Sequence, residues 1–133
     1  MICLEETWRD GFDFGMGRVC SEYLIHQSLL LTTVVSLRNT AWVYKTSDNK
    51  AHELISVNFN LISGSRMYNV QTLTFRHDAA DLMMNFLFEN CPDIALGFDG
   101  QLDDLCYNQD MDGLRNYAHT QRRDGFMHYV WNV

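Results

Sequence analysis

Residues 53–76, ELISVNFNLISGSRMYNVQTLTFR, alternate apolar and polar side chains more regularly than any other part of the chain. Successive side chains of a strand point to opposite faces, so Ile55, Val57, Phe59 and Leu61 share one face and Ser56, Asn58 and Asn60 the other. Ser63-Gly64-Ser65 interrupts the run, and residues 67–75 resume it with β-formers. A β-hairpin with one apolar face follows. That face needs a cover.

Upstream, residues 32–37 and 41–46 are rich in β-branched and aromatic side chains, with Arg38-Asn39-Thr40 between them as turn material. They read as a second hairpin, and the two hairpins together make a four-stranded antiparallel meander. Residues 5–31 read as a helix, because Trp8, Phe12, Met16, Val19 and Tyr23 recur at steps of three and four. Gly11, Gly15 and Gly17 oppose it at about 1 kcal/mol each, so either the helix breaks near Gly15 or Gly17 or the glycines admit a second backbone.

After the fourth strand, Asp78 is placed to cap a helix whose inward stripe is Leu82, Met83, Phe86 and Leu87, ending at Cys91-Pro92. Residues 93–110 read as loop with a short helix at 102–107, residues 111–123 as a helix, and residues 126–133 as a strand added to a sheet edge. The expectation is a single α+β domain over residues 1–133: a four-to-five-stranded antiparallel sheet packed by an N-terminal helix and a helix following the fourth strand. A chain of 133 residues is long enough to bury such a core without a metal or disulfide.

Cys3, Cys20, Cys91 and Cys106 contain no Cys-x-x-Cys pair, and the first ten residues are acidic where a secretory leader would be basic and then apolar. A reduced, cytoplasmic protein is expected, and the most apolar window, residues 24–37, is too short and too polar to span a bilayer. The formal charge of −7 opposes direct binding to nucleic acid. Charge is also uneven: residues 77–114 contain nine acids, among them Asp99, Asp103, Asp104, Asp110 and Asp112, and no Lys or Arg.

No motif forces a chemistry. Residues 108–113, NQDMDG, resemble the first half of an EF-hand calcium loop, but the position of its bidentate glutamate holds His119. The histidines lack metal-binding spacing, so neither metal nor cofactor is expected. Arg115, His119, Arg122 and Arg123 form a basic cluster suited to a phosphate or to the acidic stretch.

Two function classes remain. The first is a small acidic binding protein with no catalytic residues, similar in size and charge to phage or mobile-element inhibitors that occupy the nucleic-acid-binding or effector surface of a larger host complex. Its contact residues would be Asp99, Asp103, Asp104, Asp110 and Asp112, meeting a basic protein surface. The second is a small enzyme or ligand-binding domain with a pocket lined by Trp42, Tyr44, Phe59 and Tyr68, where His52, His77 and Asp78 do acid–base work. Self-association through the last strand or first helix is compatible with both.

Overall fold

The computed structural model describes residues 4–46, 54–64 and 66–125, the Tyr68 side chain excepted. The expected strand at residues 126–133 and His52 lie outside the described residues. The fold is α+β, with an N-terminal helix and two four-stranded sheets.

The central hairpin is present as read. Strands β6 (Leu54–Ser63) and β7 (Arg66–Arg76) pair antiparallel from Leu54↔Arg76 to Ser63↔Arg66. Ile55, Val57 and Phe59 are buried on one face, and Leu61 packs against the same cluster. Strand β5 (Thr40–Thr46) pairs antiparallel with β6, and the two-residue β8 (Ala95–Leu96) pairs parallel with β5. The resulting order is β7-β6-β5-β8.

The region read as one long helix divides into a helix and three short strands. Helix α1 (Leu4–Asp10) stops before Gly11, and β1 (Phe12–Asp13), β2 (Gly17–Val19), β3 (Tyr23–Gln27) and β4 (Thr32–Ser36) form an antiparallel sheet in that order. Gly15 and Gly17 have φ of 98° and 151°, a region that other residues rarely adopt. A Cβ on Gly17 would also lie 1.8 Å from the Ile25 carbonyl oxygen. Close backbone approach therefore accounts for Gly17, but the approaching backbone is a strand. Steps of three and four residues do not separate a helix from short strands broken by turns.

The expected hairpin of residues 32–37 and 41–46 is likewise corrected. The 3-10 turn Leu37–Asn39 passes the chain from β4 in the first sheet to β5 in the second. Leu37 is anchored in the core and the Thr40 hydroxyl donates to the Ser36 carbonyl (2.8 Å), so the turn changes sheets instead of folding back.

One core lies where the first sheet, the second sheet and helix α2 (His77–Asn90) meet, joining Phe14, Leu24 and Val35 to Val57, Phe59 and Phe75 and to Met83, Met84 and Leu87. The inward stripe of α2 includes Met84 and Phe88, whereas Leu82 is exposed. Within this core His26 meets the ring of Phe75 (4.7 Å) and its Nε2–H donates to the Thr74 carbonyl (2.8 Å), which as an acceptor selects the protonated Nε2. Burial lowers the His26 pKa, and the Thr74 bond opposes that shift.

The other face of the second sheet is covered by α3 (Gly100–Tyr107) and α4 (Met111–Asp124). Trp42 and Ala95 pack there against Leu102, Leu114 and Ala118. Asn58 and Asn60, which alternate with the apolar face of β6, are therefore buried as well. Thr72 donates to Asn58 Oδ1 (2.6 Å), and Asn60 Nδ2–H donates to the Trp42 carbonyl (3.2 Å).

Polar side chains of α4 fix this helical layer. Gln121 lies beside β8 as another strand would, accepting from Leu96 N–H (3.0 Å) and donating to the Leu96 carbonyl (2.7 Å). Arg122 donates to the carbonyls of Leu87, Phe88, Cys91, Ile94 and Ala118 at 2.6–3.2 Å, and its guanidinium lies over the Phe88 ring. A guanidinium has five N–H donors, so its hydrogen-bonding capacity is filled. Burial pulls its pKa down to about 10, which leaves it charged at neutral pH.

Two predictions follow from these contacts. Arg122→Ala should cost about 3 kcal/mol in urea unfolding, with Arg122→Lys restoring less than half, since an ammonium has fewer donors and no planar fork. An unchanged unfolding midpoint for Arg122→Ala would contradict the clamp. Because the folded His26 pKa lies below its ordinary 6.5, the unfolded state binds the proton more readily, and stability is full above that value and falls as pH drops through it. The urea midpoint should therefore decrease between about pH 7.5 and about pH 5, and less so in His26→Gln, whose amide can still donate to Thr74.

Candidate functional site

Acidic residues gather on α3 and the turns at its ends. Asp99 is the N-cap of α3, accepting from Leu102 N–H (3.0 Å), and it also accepts from the Tyr117 hydroxyl of α4. Burial, and then the Asp99 carboxylate, push the Tyr117 phenol up to about 12. Asp110 is the N-cap of α4, accepting from Gly113 N–H (2.9 Å). Carboxylates at helix N-termini meet unpaired N–H groups and the positive end of the helix dipole.

Asp103 and Asp104 are exposed on α3, and Asp112 is exposed in the first turn of α4. The spacing on α3 places Tyr107, which is 86% exposed, beside both Asp103 and Asp104. Phe98 is half-exposed immediately before the helix and meets Tyr44 (5.3 Å) and Trp42 (5.9 Å). Asp103 also helps burial to raise the Tyr44 pKa.

Basic side chains from elsewhere in the chain reach some of the nine acids. Asp78 pairs with Arg76 (3.6 Å), Asp81 with the buried Lys45 (3.1 Å), Asp93 with His119 (2.6 Å) and Asp112 with Arg115 (3.7 Å). Among the described residues the other five, Asp99, Asp103, Asp104 and Asp110 together with the exposed Glu89 of α2, have no ion-pair partner. Four of these five carboxylates lie on α3 and its two flanking turns.

Other sequence candidates take structural places. Residues 108–113 form the turn between α3 and α4, with Asn108 as C-cap and Asp110 as N-cap. No group of three or more His, Cys, Asp or Glu side chains able to hold a metal occurs among the described residues. The basic cluster is divided: Arg122 is filled by carbonyls, His119 faces Asp93, and Arg115 and Arg123 approach Asp112 and Asp124.

Of the four aromatics expected to line a pocket, two are placed in the core and the Tyr68 side chain lies outside the described residues. Trp42 and Phe59 are fully packed core residues, and Trp42 Nε1–H donates to the Gly97 carbonyl (2.7 Å). His77 opens α2 at the surface, and Asp78 in its first turn accepts from Ala79 N–H (2.8 Å). The Cys91 thiol is pushed up to about 12, chiefly by burial, which makes it a poor nucleophile. Two depressions of the described surface lie around Trp8 of α1, beside the first sheet, in the region that the sequence reading placed in one long helix.

No protein-family model matches the chain, and comparison with curated proteins and with solved structures finds no significant match. No helix among the described residues is long and apolar enough to cross a membrane.

Because Asp99 both caps α3 and ties it to α4, Asp99→Ala should lower stability by about 1–2 kcal/mol, while Asp103→Ala changes it by less than about 0.5 kcal/mol. Equal effects of the two substitutions in chemical denaturation would show that Asp99 is only a surface charge.

Proposed function

We propose that this is a binding domain whose acidic α3–α4 face docks on a basic surface of a larger protein. The exposed Asp103 and Asp104 carboxylates on α3, which have no ion pair among the described residues, support the reading, with Tyr107 exposed beside them. Such carboxylates compete with phosphates for the same Arg and Lys side chains, so a surface that handles nucleic acid is the natural partner. Tyrosine supplies apolar contact and a hydroxyl at little entropic cost, which is why it recurs at interface centres. Two caps and the α4 clamp hold the face in one geometry before binding, which limits the ordering entropy lost on association.

The test uses Asp103→Lys/Asp104→Lys, since neither residue caps a helix. Tagged protein incubated with lysate of its native cells should retain a protein with a basic surface at low salt and release it at high salt. The double variant should retain about tenfold less at the same melting temperature. Retention unaffected by both salt and the double substitution, or no retained protein, would contradict the reading.

A further inference from the structure

The first sheet carries two depressions that share a wall. Strands β3 and β4 pair Ile25 with Val34 and Gln27 with Thr32, placing these four side chains on the sheet face over which α1 lies. With Leu4 and Glu5 they form a shallow trough of about 340 Å³. Trp8 and Gln27 also line the second depression, a cleft of about 510 Å³ that contains Arg18, Arg76 and Asp13. Trp8, 48% exposed, thus stands between an apolar trough and a charged cleft.

Backbone carbonyls on either side of β1 hold the two guanidinium groups in place. Arg18 Nη1–H donates to the Gly11 carbonyl (3.2 Å), and Arg76 Nη2–H donates to the Gly15 carbonyl (3.3 Å). Asp13 is turned inward by accepting from Gly15 N–H (2.8 Å), with its other oxygen 3.9 Å from Arg18. Two cations and one carboxylate line the cleft, so a single negative charge balances it. Outside the cleft Asp78 lies 3.6 Å from Arg76 and further weakens any preference for a dianion. At the trough, Glu5 disfavours a second negative charge.

The rim is apolar. Leu29 lines the cleft and is 97% exposed, and the adjoining Leu30 is 90% exposed at the tip of the β3–β4 hairpin. Exposed leucine side chains at a hairpin tip gain nothing for the fold, and their burial against an apolar ligand is worth about 25 cal/mol per Å².

From this arrangement we propose a binding site for a singly charged amphiphilic anion, a carboxylate with an unbranched alkyl chain. The carboxylate lies between Arg18 and Arg76, and the chain crosses Trp8 into the trough beside Ile25 and Val34. The site is independent of the acidic α3–α4 face and goes beyond the protein-binding reading.

Octanoate, octanol and octylammonium share a chain and differ in head charge, and calorimetric titration of the full chain with each is the test. Octanoate should bind at least about tenfold more tightly than octanol, with octylammonium weakest. In Arg18→Gln/Arg76→Gln the preference for octanoate over octanol should vanish, whereas in Trp8→Ala both should weaken together. Thermal melts of the variants distinguish loss of the site from loss of the fold, and the comparison of the three probes on the unaltered protein needs no variant. Equal affinity for all three probes, no octanoate binding in the millimolar range, or a double variant that keeps the preference would overturn the proposal.

Discussion

The Arg122 guanidinium supports much of the architecture. The carbonyls that end a helix carry partial negative charge and lack intrahelical partners, and the last turn of α2 has no basic residue of its own. Arg122 supplies the missing cation from α4, reaching the Leu87, Phe88 and Cys91 carbonyls of α2 and the Ile94 carbonyl before β8. One side chain of α4 thereby ties down the end of α2 and the chain leading into β8. Its neighbour Gln121 completes the attachment by occupying the outer edge of β8.

That attachment explains how residues 77–114 can do without Lys or Arg. The partners this stretch needs come from outside it: the cations Lys45 for Asp81, Arg76 for Asp78 and Arg122 for the carbonyls, and the His119 ring hydrogen-bonded to Asp93. Asp99 and Asp110 instead meet helix N-termini, which favour negative charge. Apart from Glu89 on α2, what remains is Asp103 and Asp104 beside Tyr107, on a helix packed on the sheet through Leu102 and tied to α4 by the Asp99–Tyr117 bond. The unneutralised charge therefore lies on a surface of defined shape, as docking requires.

The parts of the fold legible in the sequence are those where one signal dominates. In β6 the period-2 alternation specifies register and the inward face. For α3 and α4, the short apolar contacts and Asp-rich turn placed the helices within a residue or two. At α1 two signals conflicted: the apolar spacing favoured a helix and the glycines opposed it, and the glycines prevailed because Gly17 must lie against Ile25. Sheet membership was not legible, since residues 37–39 look the same whether a turn folds back or crosses between layers. Nor was the burial of Asn58 and Asn60, whose cover is α3 and α4, far along the chain. The acidic stretch was legible as composition, but its capping carboxylates and its unpaired ones separate only in three dimensions. Trp8 and the arginine cleft were hidden by the helix reading of residues 5–31.

A hydrogen-exchange footprint of the captured complex tests most directly the proposal that the acidic face is the docking surface. Bound partner should slow amide exchange across residues 99–112 and leave residues 4–34 of the first sheet unchanged. Protection confined to the first sheet, with α3 exchanging as it does in the free protein, would contradict the account.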